Sequence, residues 1–284
     1  MEGEGEKTGT GSTKSRLQHL LEKASQMQPE DMLFRYHGLL YPSTLCSEES
    51  LRLYAKFEAR PEDMCIASYP KCGFNWVYAL FCGIATAVQG KAEEEKNNMA
   101  KKITLLEFSD AEGYEVLVVF RNPKDVAVSY YHFCQNNPLL PNPTSWDDFF
   151  KQYMMGEVAW GSYFDSALIW EKHIDDEDVM VITYEELKEN LPGGVQKIAD
   201  FFGHSLTEEQ IQNIARKGTF QAMNDNSKET HSVLGKVFFR KGVIGDWKTL
   251  FTEEQSQEMD AKFVECLAGT KLAAKLNYNL YCKT

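Results

Sequence analysis

Three times along the chain, a short apolar run ends in a polar loop and is followed by a longer stretch with apolar residues at helical spacing. The first run, Asp63 to Tyr69 (DMCIASY), stops at Pro70, and Asn75 to Val88 is long enough for a buried helix. The second, Val116 to Phe120 (VLVVF), leads through Arg121-Asn122-Pro123 into a helical Val126 to Phe133. The third, Val179 to Thr183 (VMVIT), leads through Tyr184-Glu185-Glu186-Leu187 into a helix from about Pro192 to Phe202. Continuous apolar strands of this kind are buried on both faces of a parallel sheet. Three strand–loop–helix units predict a single α/β domain with a central, mainly parallel sheet flanked by helices. Ligands in such sheets sit beyond the carboxyl ends of the strands, which directs attention to loops 70–76, 121–125 and 184–187.

Elsewhere, Leu17, Leu20, Leu21 and Ala24 follow helical spacing, and Tyr36-His37-Gly38 leads into a loop segment containing Pro42. Ser145 before Asp147 and Asp148 marks a helix start, as do the capping boxes Thr207/Gln210 and Thr252/Gln255. Gly218 is placed to end the helix that begins after Thr207. The near-helical spacing of Trp146, Phe149, Phe150, Tyr153, Trp160, Tyr163, Phe164 and Trp170 reads as core packing. Residues 1–15 are almost without apolar content and read as a flexible tail, and 16–284 as one domain with no internal repeat or linker.

Composition narrows the function. The 284 residues are 43% hydrophobic, enough for a full core. Thirty Lys+Arg against forty-two Asp+Glu leave a net charge of −12, so no whole-molecule positive field attracts a polyphosphate and nucleic acid is a poor partner. The longest nearly continuous apolar run, Trp76 to Val88, is too short to cross roughly 30 Å of hydrocarbon, and Met1 to Lys14 has no apolar signal core. The expectation is a soluble cytoplasmic chain with no membrane contact. Its seven cysteines are scattered without a C-x-x-C pair, which fits reduced thiols and no metal site. Cys72 lies in a glycine loop at a helix start, where a backbone role outweighs a nucleophilic one.

Candidate chemistry gathers in three loops. Tyr69-Pro70-Lys71-Cys72-Gly73-Phe74-Asn75-Trp76 places a lysine and a glycine between a buried strand and a helix, which supplies free N–H groups, a positive helix end and an ammonium for an anion. It is a P-loop-like site without the G-x-x-x-x-G-K-[ST] pattern or its magnesium-holding hydroxyl, so an NTPase reading loses its metal. Arg121, at the sheet's carboxyl edge, and Ser129, two helical turns later, can hold one phosphate between a guanidinium and a hydroxyl. Arg240-Lys241-Gly242 in the run to Lys248 suggests a local phosphate clamp within an acidic protein.

Taken in order, YPKCGFNW, RNPKDVAVSYYHF, VITYEELKENLPGGVQKIADFFG and FRKGVIGDWK closely resemble the cytosolic sulfotransferases, most of all the family 6B branch, from about Leu33 onward. The resemblance implies binding of 3′-phosphoadenosine 5′-phosphosulfate (PAPS) and transfer of its sulfonate to a hydroxyl or amine of a small hydrophobic acceptor. It implies that the 70–76 loop (Lys71, Cys72, Gly73, Phe74, Asn75, Trp76) cradles the 5′-phosphosulfate, with Lys71 assisting the leaving oxygen. Trp76 and Phe220 would sandwich the adenine, with Tyr184 near its edge. Arg121, Ser129, Arg240, Lys241 and the Gly242 amide would hold the 3′-phosphate, and Thr219 and Met223 match the remaining donor positions. Catalytic roles fall on Lys71 and Ser129.

The chain departs from that family most clearly before the second loop. The family's catalytic base is a histidine in a K-T-H-L-P-like segment, on a strand between the first loop and R-N-P-K-D. Here fifty positions separate Lys71 from Arg121, a few tens fewer than the family uses, and none is histidine. The sheet is expected to be one strand short and the general base absent, which costs about 10²- to 10⁴-fold in rate. His132, one turn after Ser129, faces roughly the same way but is not assigned the role. The family dimer contact K-x-x-x-T-V-x-x-x-E keeps Lys248 and Thr252 but has Glu253 and Gln257 at its last two positions, which makes a homodimer by that route doubtful.

Overall fold

The computed structural model describes residues 10–56, 64–89, 115–231 and 240–283. A helix α1 (Thr10–Ser25) leads into an antiparallel hairpin of β1 (Leu33–Tyr36) and β2 (Leu39–Pro42), then α2 (Glu48–Tyr54). The helix begins six residues inside the segment expected as a flexible tail, because a formed helix adds one backbone bond for each further residue it orders, beyond its apolar stripe. The hairpin was not foreseen. His37 and Gly38 both take positive φ (47° and 86°), the geometry of a tight primed turn, but His-Gly lacks the usual Asn-Gly signal.

The sheet follows the three-unit pattern. Strand β3 (Met64–Ser68) is followed by α3 (Phe74–Gln89), β4 (Glu115–Phe120) by α4 (Pro123–Asn136), and β5 (Val179–Thr183) by α7 (Tyr184–Glu189) and α8 (Leu191–Phe201), with α5 (Trp146–Met155) and α6 (Tyr163–Glu171) between β4 and β5. The three strands are parallel in the order β3-β4-β5. The remaining helices are α9 (Glu208–Lys217), α10 (Phe220–His231), α11 (Glu253–Leu267), α12 (Lys271–Leu276) and α13 (Tyr278–Cys282). Ser145, Thr207 and Thr252 are the N-caps expected of α5, α9 and α11. No helix among the described residues is long and apolar enough to cross a membrane.

Strand β4 divides the core in two. Val116, Val118 and Phe120 face Val126, Tyr130, Phe149, Phe150, Tyr153, Tyr163 and Phe164, so most of the expected aromatic core lies on this side. Leu117 and Val119 face Val77, Leu80, Ile84, Val195, Ile198, Ile211 and Ile214. A period of two along a strand covered on both faces produces this split. Among the described residues β3 pairs on one side only, and each of its residues keeps some exposure; residues 90–114, where the missing strand and base would fall, lie outside the described residues.

Candidate functional site

The loop after β3 carries unusual backbone. The Cys72 N–H donates to the Tyr69 carbonyl at 3.2 Å, Lys71 sits at φ 70° and Gly73 at φ 116°. A side chain at positive φ is disfavoured, so the surroundings of Lys71 hold it in place. A Cβ on Gly73 would stand 3.1 Å from the Tyr184 ring, and the N–H groups of Trp76 and Val77 both donate to the Gly73 carbonyl, which starts α3. Glycine is therefore required twice over, for backbone conformation and for close approach to the third loop. The Lys71 ammonium lies 4.4 Å from the centre of the Phe133 ring on α4. Phe133 is one helical turn beyond Ser129, so the half-buried Ser129 shares the face that Lys71 overlies.

The loop after β4 is an interior polar network. Pro123 occupies the first turn of α4 and the Asn122 side chain caps it, accepting from the Asp125 N–H at 2.8 Å. Glu185 accepts the Asn122 N–H at 3.1 Å and its Nδ2 at 2.7 Å. Burial pushes the Glu185 carboxyl up, against the opposing pull of Arg121 and the Asn122 donors. Lys124, 0% exposed, points away from the loop to Asp260 (2.7 Å), Ser256 and the Cys282 carbonyl, so this basic residue braces the fold. Arg121 donates to the Val243 carbonyl at 2.8 Å, pairs with Asp125 at 3.4 Å and lies 4.2 Å from the centre of the Tyr184 ring.

The third cluster closes on the second. Gly245 and Trp247 donate their N–H groups to the two carboxylate oxygens of Asp125, at 2.8 and 2.9 Å, and Asp246 between them takes Lys241 at 2.6 Å and also takes Arg240. Gly242, at φ 65°, approaches Phe220 so closely that a Cβ would fall 2.1 Å from its ring. Arg121 and Arg240 also reach Lys71 electrostatically. Burial first, then these two guanidiniums, lower the Lys71 ammonium to about 7. Loops separated by 50 and 119 positions in sequence thus meet in one place.

The residues expected around the adenine come from three separate segments. Trp76 meets Tyr184 edge to face at 5.0 Å, and its indole N–H donates to the Gly218 carbonyl at 2.7 Å. Phe220 instead packs on Gly242. Gly218 ends α9, as expected, at φ −83°; a Cβ there would lie 2.4 Å from Leu80. Thr219 is exposed and its hydroxyl bonds locally to the Arg216 carbonyl at 3.1 Å, while Met223 is half-buried on α10. Cys72 is fully buried and burial pushes its thiol up, which leaves it inert as a nucleophile. Thr252, from the dimer motif, uses its hydroxyl to cap α11. Reasoning from sequence missed Asp125, Glu185 and Asp246; the i,i+4 spacing of Arg121 and Asp125 was the available signal.

These features define an α/β protein with a P-loop-like anion site. The sulfotransferase domain matches residues 111–271, and the chain belongs to the sulfotransferase family. It is similar to Sulfotransferase 6B1 of Danio rerio (45% identity over 299 residues, covering 95% of this chain and 100% of that one) and of Homo sapiens (43%; 94% and 96%). Identity to Sulfotransferase 1A1 of Canis lupus familiaris is 32%, over 79% of this chain and 90% of that one, which bears out the resemblance to the 6B branch. Among solved structures, mouse sulfotransferase SULT7A1 complexed with PAP superposes with a TM-score of 0.76 at 29% identity, covering 89% of this chain and 99% of that one. The match to the Danio rerio relative spans 299 positions but only 95% of 284 residues, so about 30 aligned positions have no counterpart here.

Proposed function

We propose that the chain binds PAPS and transfers its sulfonate to a hydroxyl or amine of a small hydrophobic acceptor in the cytoplasm, with transfer slowed by loss of the general-base histidine. The observation that carries this reading is the convergence of Lys71, Arg121 and Arg240 from three separate loops. The donor chemistry also fits. The Nε–H groups of Arg121 and Arg240 are buried without a partner among the described residues, and a phosphate satisfies such groups. On this reading Arg121, Ser129, Arg240, Lys241 and the Gly242 N–H hold the 3′-phosphate. Lys71, Cys72, Gly73, Phe74 and Asn75 line the 5′ side, and Trp76, Tyr184, Phe220, Thr219 and Met223 surround the nucleoside.

When bound, the donor supplies an activated sulfur whose bond to the 5′-phosphate oxygen breaks as the acceptor attacks. Lys71 has the chemistry to stabilise charge on the departing oxygen. An anion beside it favours the ammonium and holds Lys71 cationic at neutral pH. No histidine lies between Lys71 and Arg121 to take the acceptor's proton, so a phenol, which releases its proton readily, suffers less than an alkyl alcohol. The same gap favours a second reading, a silent PAPS or PAP binder that regulates or pairs with active relatives. Thermal-shift titration separates nucleotide classes, since a specific ligand stabilises by RT ln(1 + [L]/Kd). PAP is expected to raise the melting temperature more than ATP, and equal shifts would overturn the donor assignment. Radiolabelled transfer to phenols, amines and sterols then distinguishes a slowed enzyme from a silent binder.

A further inference from the structure

Asp246 stands at the centre of the basic cluster, where a second anion is the last thing a phosphate site needs. Its carboxylate is nearly buried, taking Lys241 on one oxygen and Arg240 on the other. Burial opposes its ionisation, but the hydrogen bonds and charges of Lys241 and Arg240 outweigh this and keep it a carboxylate. Its backbone is held on both sides, because the N–H groups of Gly245 and Trp247 are fixed to Asp125 in the first turn of α4. The turn 240–246 is thereby closed at both ends, with Gly242 pressed on Phe220.

Two roles fit a carboxylate here, a competitor that a phosphate must displace or a strut that holds the cations ready for it. Three details favour the strut. The Arg240 guanidinium has five donors, and its buried Nε–H remains without a partner among the described residues, so one carboxylate does not exhaust it. Lys241, with about half of its side chain exposed, can turn toward a dianion without moving the backbone. Asp125 uses the same arrangement, pairing with Arg121 while anchoring the turn.

We propose that Asp246 is the positioning residue that sets selectivity for a nucleotide carrying a 3′-phosphate, by holding Arg240 and Lys241 side by side and closing the turn onto Phe220. The proposal rests on the donor reading above. It is tested by calorimetric titration of wild-type, Asp246→Asn and Asp246→Glu proteins with PAP and with adenosine 5′-phosphate, which lacks the 3′-phosphate. Asp246→Asn is expected to weaken PAP binding by about 10- to 100-fold while adenosine 5′-phosphate changes less than about threefold. Asp246→Glu, which keeps the charge but displaces it by one methylene, is expected to lose about fivefold for PAP alone.

Unchanged or tighter PAP binding by Asp246→Asn would overturn the strut in favour of the competitor. An equal loss for both nucleotides would reduce Asp246 to a general structural role. Should Asp246→Asn not fold, undiminished PAP preference in Asp246→Glu would overturn the proposal by itself. A wild-type protein that binds both nucleotides alike would instead bring down the donor reading, a result distinct from failure of Asp246 alone.

Discussion

Strands β3 and β4 lie side by side and end in neighbouring loops, but only one of them is enclosed. Every residue of β4 after Glu115 is buried, and its loop is tied down by Asn122, Asp125 and Glu185 to α4, α7 and the 240–247 segment. Each residue of β3 keeps some exposure, and its loop carries Lys71 and Gly73 at positive φ. The first region is a fixed polar network that holds Arg121 against Asp125 and the Val243 carbonyl. The second carries the lysine next to the reacting group on the proposed reading, and among the described residues its strand pairs on one side only. On the proposed reading, donor binding rests on the first region and transfer on the second.

The largest expected effect breaks the two regions apart functionally. Transfer to an alkyl alcohol should run about 10²- to 10⁴-fold below that of a histidine-containing relative assayed alongside, while PAP affinity stays within about tenfold. A radiolabelled-sulfonate assay paired with calorimetry checks both, and transfer at the relative's rate would show that another group has taken the base's place. On the enclosed side, Glu185→Ala leaves the Asn122 N–H and amide without their acceptor, and should cost about 2–3 kcal/mol by urea unfolding. A loss below 0.5 kcal/mol would show that the network is not what fixes this loop.

Much of this architecture was legible in the chain, for identifiable reasons. VLVVF is buried on both faces, and VMVIT matches β5 from Val179 to Thr183, because continuous apolar strands bounded by polar loops leave few alternatives. The capping boxes at Thr207 and Thr252 were equally plain, since the motif is the mechanism. The hairpin at His37 was not, because a positive φ at histidine is imposed by strand pairing and not by local preference. The cations of the site were legible as charges beside glycines. Their counter-charges were overlooked although Asp125 and Asp246 lie within six residues of the cations they pair with, because the role of Asp125 as an anchor shows only when Gly245, 120 residues away, comes to 2.8 Å.

A pH titration of PAP binding sharpens the contrast from the reactive side. In the donor-free protein Lys71 is lowered to about 7, so above that pH it is increasingly neutral and must take up a proton to serve an anion. Affinity should therefore be greatest below pH 7 and fall as pH rises, by roughly tenfold between pH 7 and 8.5. Lys71→Met should flatten the profile, and a wild-type profile already flat across that range would exclude Lys71 from the anion site. Folding responds in the opposite sense. The unfolded chain holds the Lys71 proton up to its ordinary value, so stability of the donor-free protein rises from pH 7 toward 10.5 as the folded state sheds the buried charge.

The smallest effect is expected at His132, the one histidine whose position invites a catalytic role. It lies on α4 one turn past Ser129, and burial, followed by the charge of Arg240, lowers its pKa. Lys241 adds to that push, while Gln135 and Asp246 oppose it. On the proposed reading, Arg240 and Lys241 hold the 3′-phosphate, whereas the sulfonate faces Lys71. A neutral imidazole can accept a proton, but on the proposed reading this one stands beside the phosphate cations and away from the acceptor. His132→Gln should leave residual transfer within about threefold at pH 7.5, with a modest loss of PAP affinity confined to acidic pH, where the ring gains its proton. A hundredfold fall in transfer at unchanged PAP affinity would move His132 across to the reactive side and identify the replacement base.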